Sequence, residues 1–150
     1  MLFRSSYYPA MKDAIDYAIG KGIVVVIAAG NSGNAGVSFP GCVSTALTVG
    51  AVDSKDSIAS FSGRGSAVDV TAPGVSLYST WLGTGYATLS GTSMATPVVS
   101  GTVALVKSAH PDWTPAQVIN AIKTTAKDLG AVGFDNNYGN GRARANLAVQ

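Results

Sequence analysis

Residues 23–29 form an uninterrupted apolar run, IVVVIAA, in which five residues are β-branched. A strand with one face in water alternates apolar and polar side chains, whereas a strand covered on both faces is continuously apolar. Just before it, residues 9–20 repeat apolar side chains at helical spacing, with Pro9 suited to the first turn and Gly20 or Gly22 to the end. A helix, a glycine link and a buried strand predict an α/β fold with a mostly parallel sheet between helices.

Strand, turn and helix signals continue to the C-terminus. Two further apolar runs predict strands in the sheet, and a glycine-centred turn predicts a hairpin that leads into the next helix. Thr114, Pro115 and Gln117 match a capping box at the start of a later helix. The predicted strands are residues 46–52, 68–72, 77–81 and 86–89.

The composition excludes several classes of function. A chain of 150 residues, 47% hydrophobic and 12% charged, fits one folded domain. Because the net charge is only +2 and the longest apolar run is too short to cross a bilayer, we expect no nucleic-acid and no membrane partner. Cys42 is the only cysteine, so no internal disulfide can form, and we interpret it as a small packed thiol.

Ser93 lies between small residues where a turn enters an apolar segment that extends to His110. We expect a helix to begin there, with Pro97 in its first turn. Free N–H groups and the positive end of the helix dipole stabilise developing negative charge at such a position, which suits a nucleophile. The alternative is an ordinary serine or threonine N-cap, a common feature of helix starts.

Asn31 follows the first predicted strand, in a loop rich in glycine and asparagine. In open α/β sheets, binding crevices lie beyond the carboxyl ends of the strands, so Asn31 is a second candidate functional residue. The alternative is a turn asparagine chosen for its tolerance of the left-handed backbone region.

The chain offers no base for Ser93. A serine nucleophile needs a base within hydrogen-bond reach, and the only histidine, His110, would end the helix that Ser93 begins. Seventeen residues at ~1.5 Å rise place the two roughly 25 Å apart, so we interpret His110 as a cation at a helix C-terminus. The motifs of α/β-hydrolases, zinc sites, EF-hands and phosphate-binding loops are also missing.

Two stretches together resemble the subtilisin-like serine proteases, or subtilases. Residues 90–97, SGTSMATP, are similar to the active-site serine signature of that family, and residues 25–31, VVIAAGN, to its oxyanion-asparagine strand. The resemblance implies the family's three-layer α/β fold, with residues 1–150 as the carboxyl-terminal portion of the peptidase domain. Four shorter matches follow the family's order, at residues 48–52, 60–62, 70–74 and 138–142.

The resemblance implies a serine endopeptidase that acts on protein or peptide substrates through an acyl-enzyme. Ser93 corresponds to the nucleophile, and Asn31 corresponds to the residue whose side-chain amide, with the backbone N–H of Ser93, stabilises the oxyanion. Ala28, Ala29 and Gly30 correspond to one wall of a roomy, apolar substrate pocket.

The departures from the family pattern concern the rest of the catalytic triad. In subtilisins an aspartate and then a histidine precede the serine. Here Asp13 and Asp16 lie on a predicted surface helix, no histidine precedes Ser93, and residues 1–4 do not match the family's substrate-pairing strand. Val98 also replaces a histidine that is common after the serine motif but lies outside the triad.

We therefore expect the isolated chain to be inactive, with the triad aspartate and histidine on a missing amino-terminal portion that would be its partner. Self-association through an exposed strand edge is a second expected interaction. The alternative function is a non-catalytic subtilase-like domain that binds peptides or a protein partner.

The resemblance also implies calcium as a candidate cofactor and a secreted, extracellular location. No residue pattern in the chain specifies metal ligands, and no other cofactor is evident from the motifs. Residues 1–6 contain no apolar core of signal-peptide length, so we expect no signal peptide within this chain.

Overall fold

The computed structural model describes residues 8–150, so the prediction for residues 1–4 lies outside the described part. Three parallel strands form a sheet in the order β1–β2–β3, which confirms the predicted α/β class. A separate antiparallel hairpin, β4–β5, confirms the predicted turn between two strands. The strands are β1 (Val26–Ala28), β2 (Leu47–Val52), β3 (Val70–Pro73), β4 (Leu77–Thr80) and β5 (Tyr86–Leu89); the α-helices are α1 (Pro9–Gly20), α2 (Thr92–Ala109), α3 (Pro115–Thr124) and α4 (Ala145–Ala148).

Strand β2 is the centre of the structure, since all six of its residues are buried. On one face of the sheet, Val99 and Val106 of α2 join Leu47 and Val49 in the larger core cluster. On the other face, Ile15 of α1 belongs to a smaller cluster with the loop that precedes β2. The parallel sheet thus lies between helices, as the apolar run of residues 23–29 predicted.

Strand β1 is shorter and less buried than predicted. It covers only Val26–Ala28, all half-buried, and the preceding Ile23 is 56% exposed. Its side chains do pack on both faces of the sheet, because Val26 contacts the larger core cluster and Ile27 contacts the smaller one. Among the described strands, however, only β2 pairs with β1, so a run suited to the interior of a sheet lies at its edge.

Local signals predicted the helix boundaries well. α1 begins at Pro9, and α3 begins with the full capping box formed by Thr114 and Gln117. The interpretation of Cys42 was wrong, because its side chain is exposed on the loop before β2. No helix within residues 8–150 is long and apolar enough to span a membrane.

We predict that the isolated chain self-associates through the open edge of β1. The N–H of Ala29 donates to the carbonyl of Val49, and the N–H of Leu47 donates to the carbonyl of Val25. Successive residues of a strand direct their backbone groups to opposite sides, so Val26, which follows Val25, directs its N–H and carbonyl away from β2. Because proline is tolerated on an edge strand where its missing N–H would face outward, Val26→Pro should shift the chain toward monomer.

Sedimentation velocity over a range of concentrations measures this shift. Asn120→Ser, an exposed change on α3, serves as the control and should sediment like the unaltered chain. A monodisperse, cooperatively melting monomer at high concentration of the unaltered chain would contradict the prediction.

Candidate active site

Asn31 stands at the carboxyl end of β1, after a turn made by Gly30. Gly30 has φ = +94°, a region that glycine enters without the steric cost of a Cβ. Its carbonyl accepts a hydrogen bond from the N–H of Gly63 at 2.8 Å, and the carbonyl of Ala29 accepts one from Ser38 at 3.1 Å. The loop that carries Asn31 is therefore held to two neighbouring segments.

Ser93 is the second residue of α2, and its side chain is exposed. The N-cap is Gly91, with no side-chain capping bond, so the interpretation of Ser93 as an ordinary N-cap is wrong. The N–H of Gly91 donates to the carbonyl of Gly74 at 2.8 Å, which ties the helix start to the end of β3. A Cβ on Gly74 would lie 2.7 Å from the Cβ of Ala51, so glycine allows this close approach.

Pro97 lies inside α2, in its second turn, and not in the first turn as predicted. A proline there has no N–H to donate to the carbonyl four residues earlier, which is the carbonyl of Ser93. The helix therefore lacks one backbone hydrogen bond at the residue that carries the candidate nucleophile.

Thr92 fixes the side chain of Asn31. Its backbone N–H and its Oγ1 hydroxyl both donate to Oδ1 of Asn31 at 2.9 Å, and Oγ1 accepts from the N–H of Gly30 at 3.2 Å. A backbone N–H can only donate, so the atom that faces it must be the amide oxygen. The Nδ2 group is thereby left to donate elsewhere. It lies beside Gly91, 3.5 Å from where a Cβ would be if that residue had a side chain.

The fold brings the predicted residues Asn31 and Ser93 close together and places His110 far from both. Asn31 contacts the first residue of α2, 61 positions away in the sequence, and Ser93 is the next residue of that helix. His110 is the C-cap of α2, at its opposite end. Its ring stacks on Trp113 with 3.7 Å between centroids, and its Nε2 lies 3.2 Å from the carbonyl oxygen of Val149. As the spacing predicted, His110 is not the base for Ser93.

Beside Ser93, an open cavity of about 470 Å³ lies between the β4–β5 hairpin and the start of α2. Its walls are largely apolar, and Ala28, Ala29 and Gly30 are not among them. Ala29 is fully buried. The assignment of these three residues to a substrate pocket stays a prediction. The large side chains lining the cavity include Leu77, Trp81, Leu89, Met94 and Val98.

The calcium implied by the family resemblance finds no matching carboxylate site in the described part of the chain. No three or more His, Cys, Asp or Glu side chains gather within residues 8–150 in a way that could hold a metal ion. Asp69, for example, accepts hydrogen bonds from the N–H of Thr48 and from Lys123.

Comparison with known proteins decides the family. The model of the subtilase family of peptidases matches residues 4–141. The chain belongs to the subtilase family. Over 140 residues it is 44% identical to Subtilisin BL and to Subtilisin Savinase of Lederbergia lenta, which covers 93% of this chain and 51% of each relative. Over 145 residues it is 46% identical to Subtilisin of Bacillus pumilus, covering 94% and 52%. The chain spans about half the length of these relatives.

Thr92 is the residue of this site that sequence reasoning missed. It is part of the serine motif, but the local sequence indicates only an N-cap there, and its partners Gly30 and Asn31 lie in a distant loop. Capping and periodicity signals link residues three or four positions apart, so they could not indicate this contact.

We predict that Thr92→Val destabilises the chain by about 1–3 kcal/mol, because it leaves the N–H of Gly30 without its acceptor and removes a donor to Asn31. Thr92→Ser retains the hydroxyl and should cost less. Urea unfolding followed by circular dichroism compares the free energies of unfolding of the two variants. A larger loss for Thr92→Ser than for Thr92→Val would show that the methyl group of Thr92, rather than its hydroxyl, stabilises the site.

Proposed function

We propose that residues 1–150 are the carboxyl-terminal portion of a subtilase peptidase domain, and that the complete domain is a serine endopeptidase. The observation that carries this proposal is the junction of β1 and α2, where Thr92 holds the Asn31 amide beside the start of the helix that bears Ser93. A nucleophile and two potential oxyanion donors are thereby close together.

In the proposed reaction, Oγ of Ser93 attacks the carbonyl carbon of the scissile peptide bond and its proton passes to a base. The developing oxyanion accepts hydrogen bonds from Nδ2 of Asn31 and from the N–H of Ser93, which has no intrahelical acceptor because it lies in the first turn. The base then gives this proton to the amine as the C–N bond breaks. Water, losing a proton to the same base, attacks the acyl-enzyme, and the base returns that proton to Oγ of Ser93 as the acid product leaves. The positive end of the α2 dipole favours the negative charge at each stage.

The base must come from outside this chain, because its only histidine lies at the far end of α2. Since the aspartate and histidine of subtilisins precede the serine, we assign both to the amino-terminal half of the domain. The histidine would take the proton of Ser93, and the aspartate would orient the histidine and stabilise the imidazolium.

Protein or peptide segments are the proposed substrates, with Ala28, Ala29 and Gly30 as a wall of the pocket for the residue before the cleaved bond. Their small side chains favour large apolar residues there. By analogy with the family we also propose that the enzyme acts outside the cell.

We predict that the isolated chain shows no steady hydrolysis of casein and reacts very slowly with a fluorophosphonate probe. In a subtilisin, losing the histidine alone costs about as much turnover as losing the whole triad. Fusing the amino-terminal half of the Bacillus pumilus subtilisin ahead of residue 4 should restore cleavage, and Ser93→Ala should abolish it. A folded fusion that binds peptides without cleaving them would favour the non-catalytic alternative.

Asn31→Asp separates catalysis from folding. An aspartate retains the oxygen that accepts both hydrogen bonds from Thr92 but replaces the Nδ2 donor, so we expect a folded fusion with impaired turnover. Loss of one oxyanion donor lowers kcat by about 10²–10³, a figure that comes from a subtilisin and so from this same family. Casein hydrolysis at the level of the unaltered fusion would remove Asn31 from the oxyanion site.

A further inference from the structure

Arg64 is a half-buried cation that has no partner in the part of the chain that the structure describes. Its Nε atom is buried without a hydrogen bond, whereas its two Nη groups reach the surface. No carboxylate among residues 8–150 forms an ion pair with its guanidinium. Because a charged group that is taken out of water loses hydration free energy, such groups are normally paired. Arg64 is therefore available to an anion from outside the chain.

The other half-buried cations of residues 8–150 all have partners. Three of them form ion pairs with aspartates, and two donate hydrogen bonds to backbone carbonyls. These residues are Lys12, Lys123 and Arg142 in the first group and Lys107 and Arg144 in the second. The missing partner of Arg64 is thus an exception among the cations of comparable burial.

The segment that carries Arg64 runs beside the candidate site. Arg64 follows Gly63, whose N–H donates to the carbonyl of Gly30 at 2.8 Å. A Cβ on Gly63 would lie 2.6 Å from the carbonyl oxygen of Ala29, so glycine allows this close approach. Ala29 and Gly30 belong to the proposed wall of the substrate pocket and directly precede Asn31. The fold therefore places the unpaired cation next to the proposed site of cleavage.

No other charge lies on the segments that form this site. Residues 28–40, 60–65 and 74–98 contain the loop after β1, the segment beside it, the hairpin and the start of α2. Arg64 is the only Asp, Glu, Lys or Arg among them. Since no opposite charge neutralises it there, its field attracts a carboxylate over about 8–10 Å, the screening length at physiological salt.

We propose that Arg64 binds a carboxylate of the peptide substrate, so that the enzyme prefers polypeptides with an aspartate or glutamate near the cleaved bond. This inference rests on the proposed function. A guanidinium is a planar fork of N–H donors that matches a carboxylate in two parallel hydrogen bonds. Because the Nε atom of Arg64 is buried, the side chain is already ordered, and less conformational entropy is lost on binding than at a freely moving surface cation.

The first test uses the fusion described above and hexapeptides with phenylalanine before the cleaved bond. One aspartate is moved through the other positions, and each peptide is compared with its asparagine and lysine counterparts. At the position that meets Arg64, we expect kcat/KM to be about 10-fold higher for aspartate than for asparagine, which corresponds to about 1.4 kcal/mol. The preference should appear mainly in KM, because it reports binding, and it should shrink as salt is added.

Variants of Arg64 distinguish recognition of charge from support of the fold. Arg64→Gln should remove the preference for aspartate, and Arg64→Glu should replace it with a preference for lysine at the same position. A residue that only supported the fold would not exchange one substrate charge for the other. Lys55→Gln removes an exposed positive charge from the loop after β2 and should retain the preference for aspartate.

A second measurement needs no cleavage. In the isolated chain carrying Ser93→Ala, the Nε–H of Arg64 should give an NMR signal that Arg64→Gln removes. The aspartate peptide identified by the kinetic series, or the full aspartate series if the fusion is inactive, should shift this signal more than the asparagine counterpart does. The Nε–H of Arg144 is the internal control, because it already donates to the carbonyl of Thr125 at 2.8 Å and should not move.

The two measurements separate this inference from the proposed function. Shifts of the Arg64 signal that depend on aspartate, without any cleavage by the fusion, would reject the proposed function and leave the carboxylate site standing. Cleavage with no preference for aspartate at any position would overturn the carboxylate site and leave the proposed function standing. Equal losses of kcat/KM for aspartate and asparagine peptides in Arg64→Gln would also overturn it, since Arg64 would then support the fold alone.

Discussion

Three hydrogen bonds between Thr92 and the turn at Gly30 and Asn31 join the end of a strand to the start of a helix. Thr92 is fully buried, so these bonds form where water competes little and where a missing partner would be costly. They orient the asparagine amide by occupying its oxygen. The same residue begins α2, so its position also determines where Ser93 lies. The site therefore depends on a residue that has no proposed chemical role of its own.

The parallel sheet explains why this junction exists. Strand β2 is buried throughout and aligns β1 on one side and β3 on the other. Because parallel strands end at the same edge of a sheet, the loop after β1 and the helix that follows β3 and the hairpin meet beyond that edge. The close contact at Gly74 brings the start of α2 down onto the end of β3.

Two elements have more apolar surface than the described structure covers. Among the described strands β1 has only one neighbour although it is suited to the interior of a sheet, and α2 carries apolar side chains, Val98 and Leu105, that are 42% and 55% exposed. Both open sides lie next to the candidate site.

The sequence by itself determined the features that depend on neighbours along the chain. Proline and capping signals located the starts of α1 and α3, the serine motif and the strand before Asn31 identified the family, and helix geometry excluded His110 as the base. Tertiary structure decided whatever depends on distant contacts. The burial of β1 is lower than the sequence predicts, because a run of apolar residues cannot reveal whether the strand has a second neighbouring strand. Cys42 is exposed, because the type of a residue does not reveal which other segments pack against it. The role of Thr92 could not be predicted, because its partner lies 61 residues away and only the folded sheet brings them together.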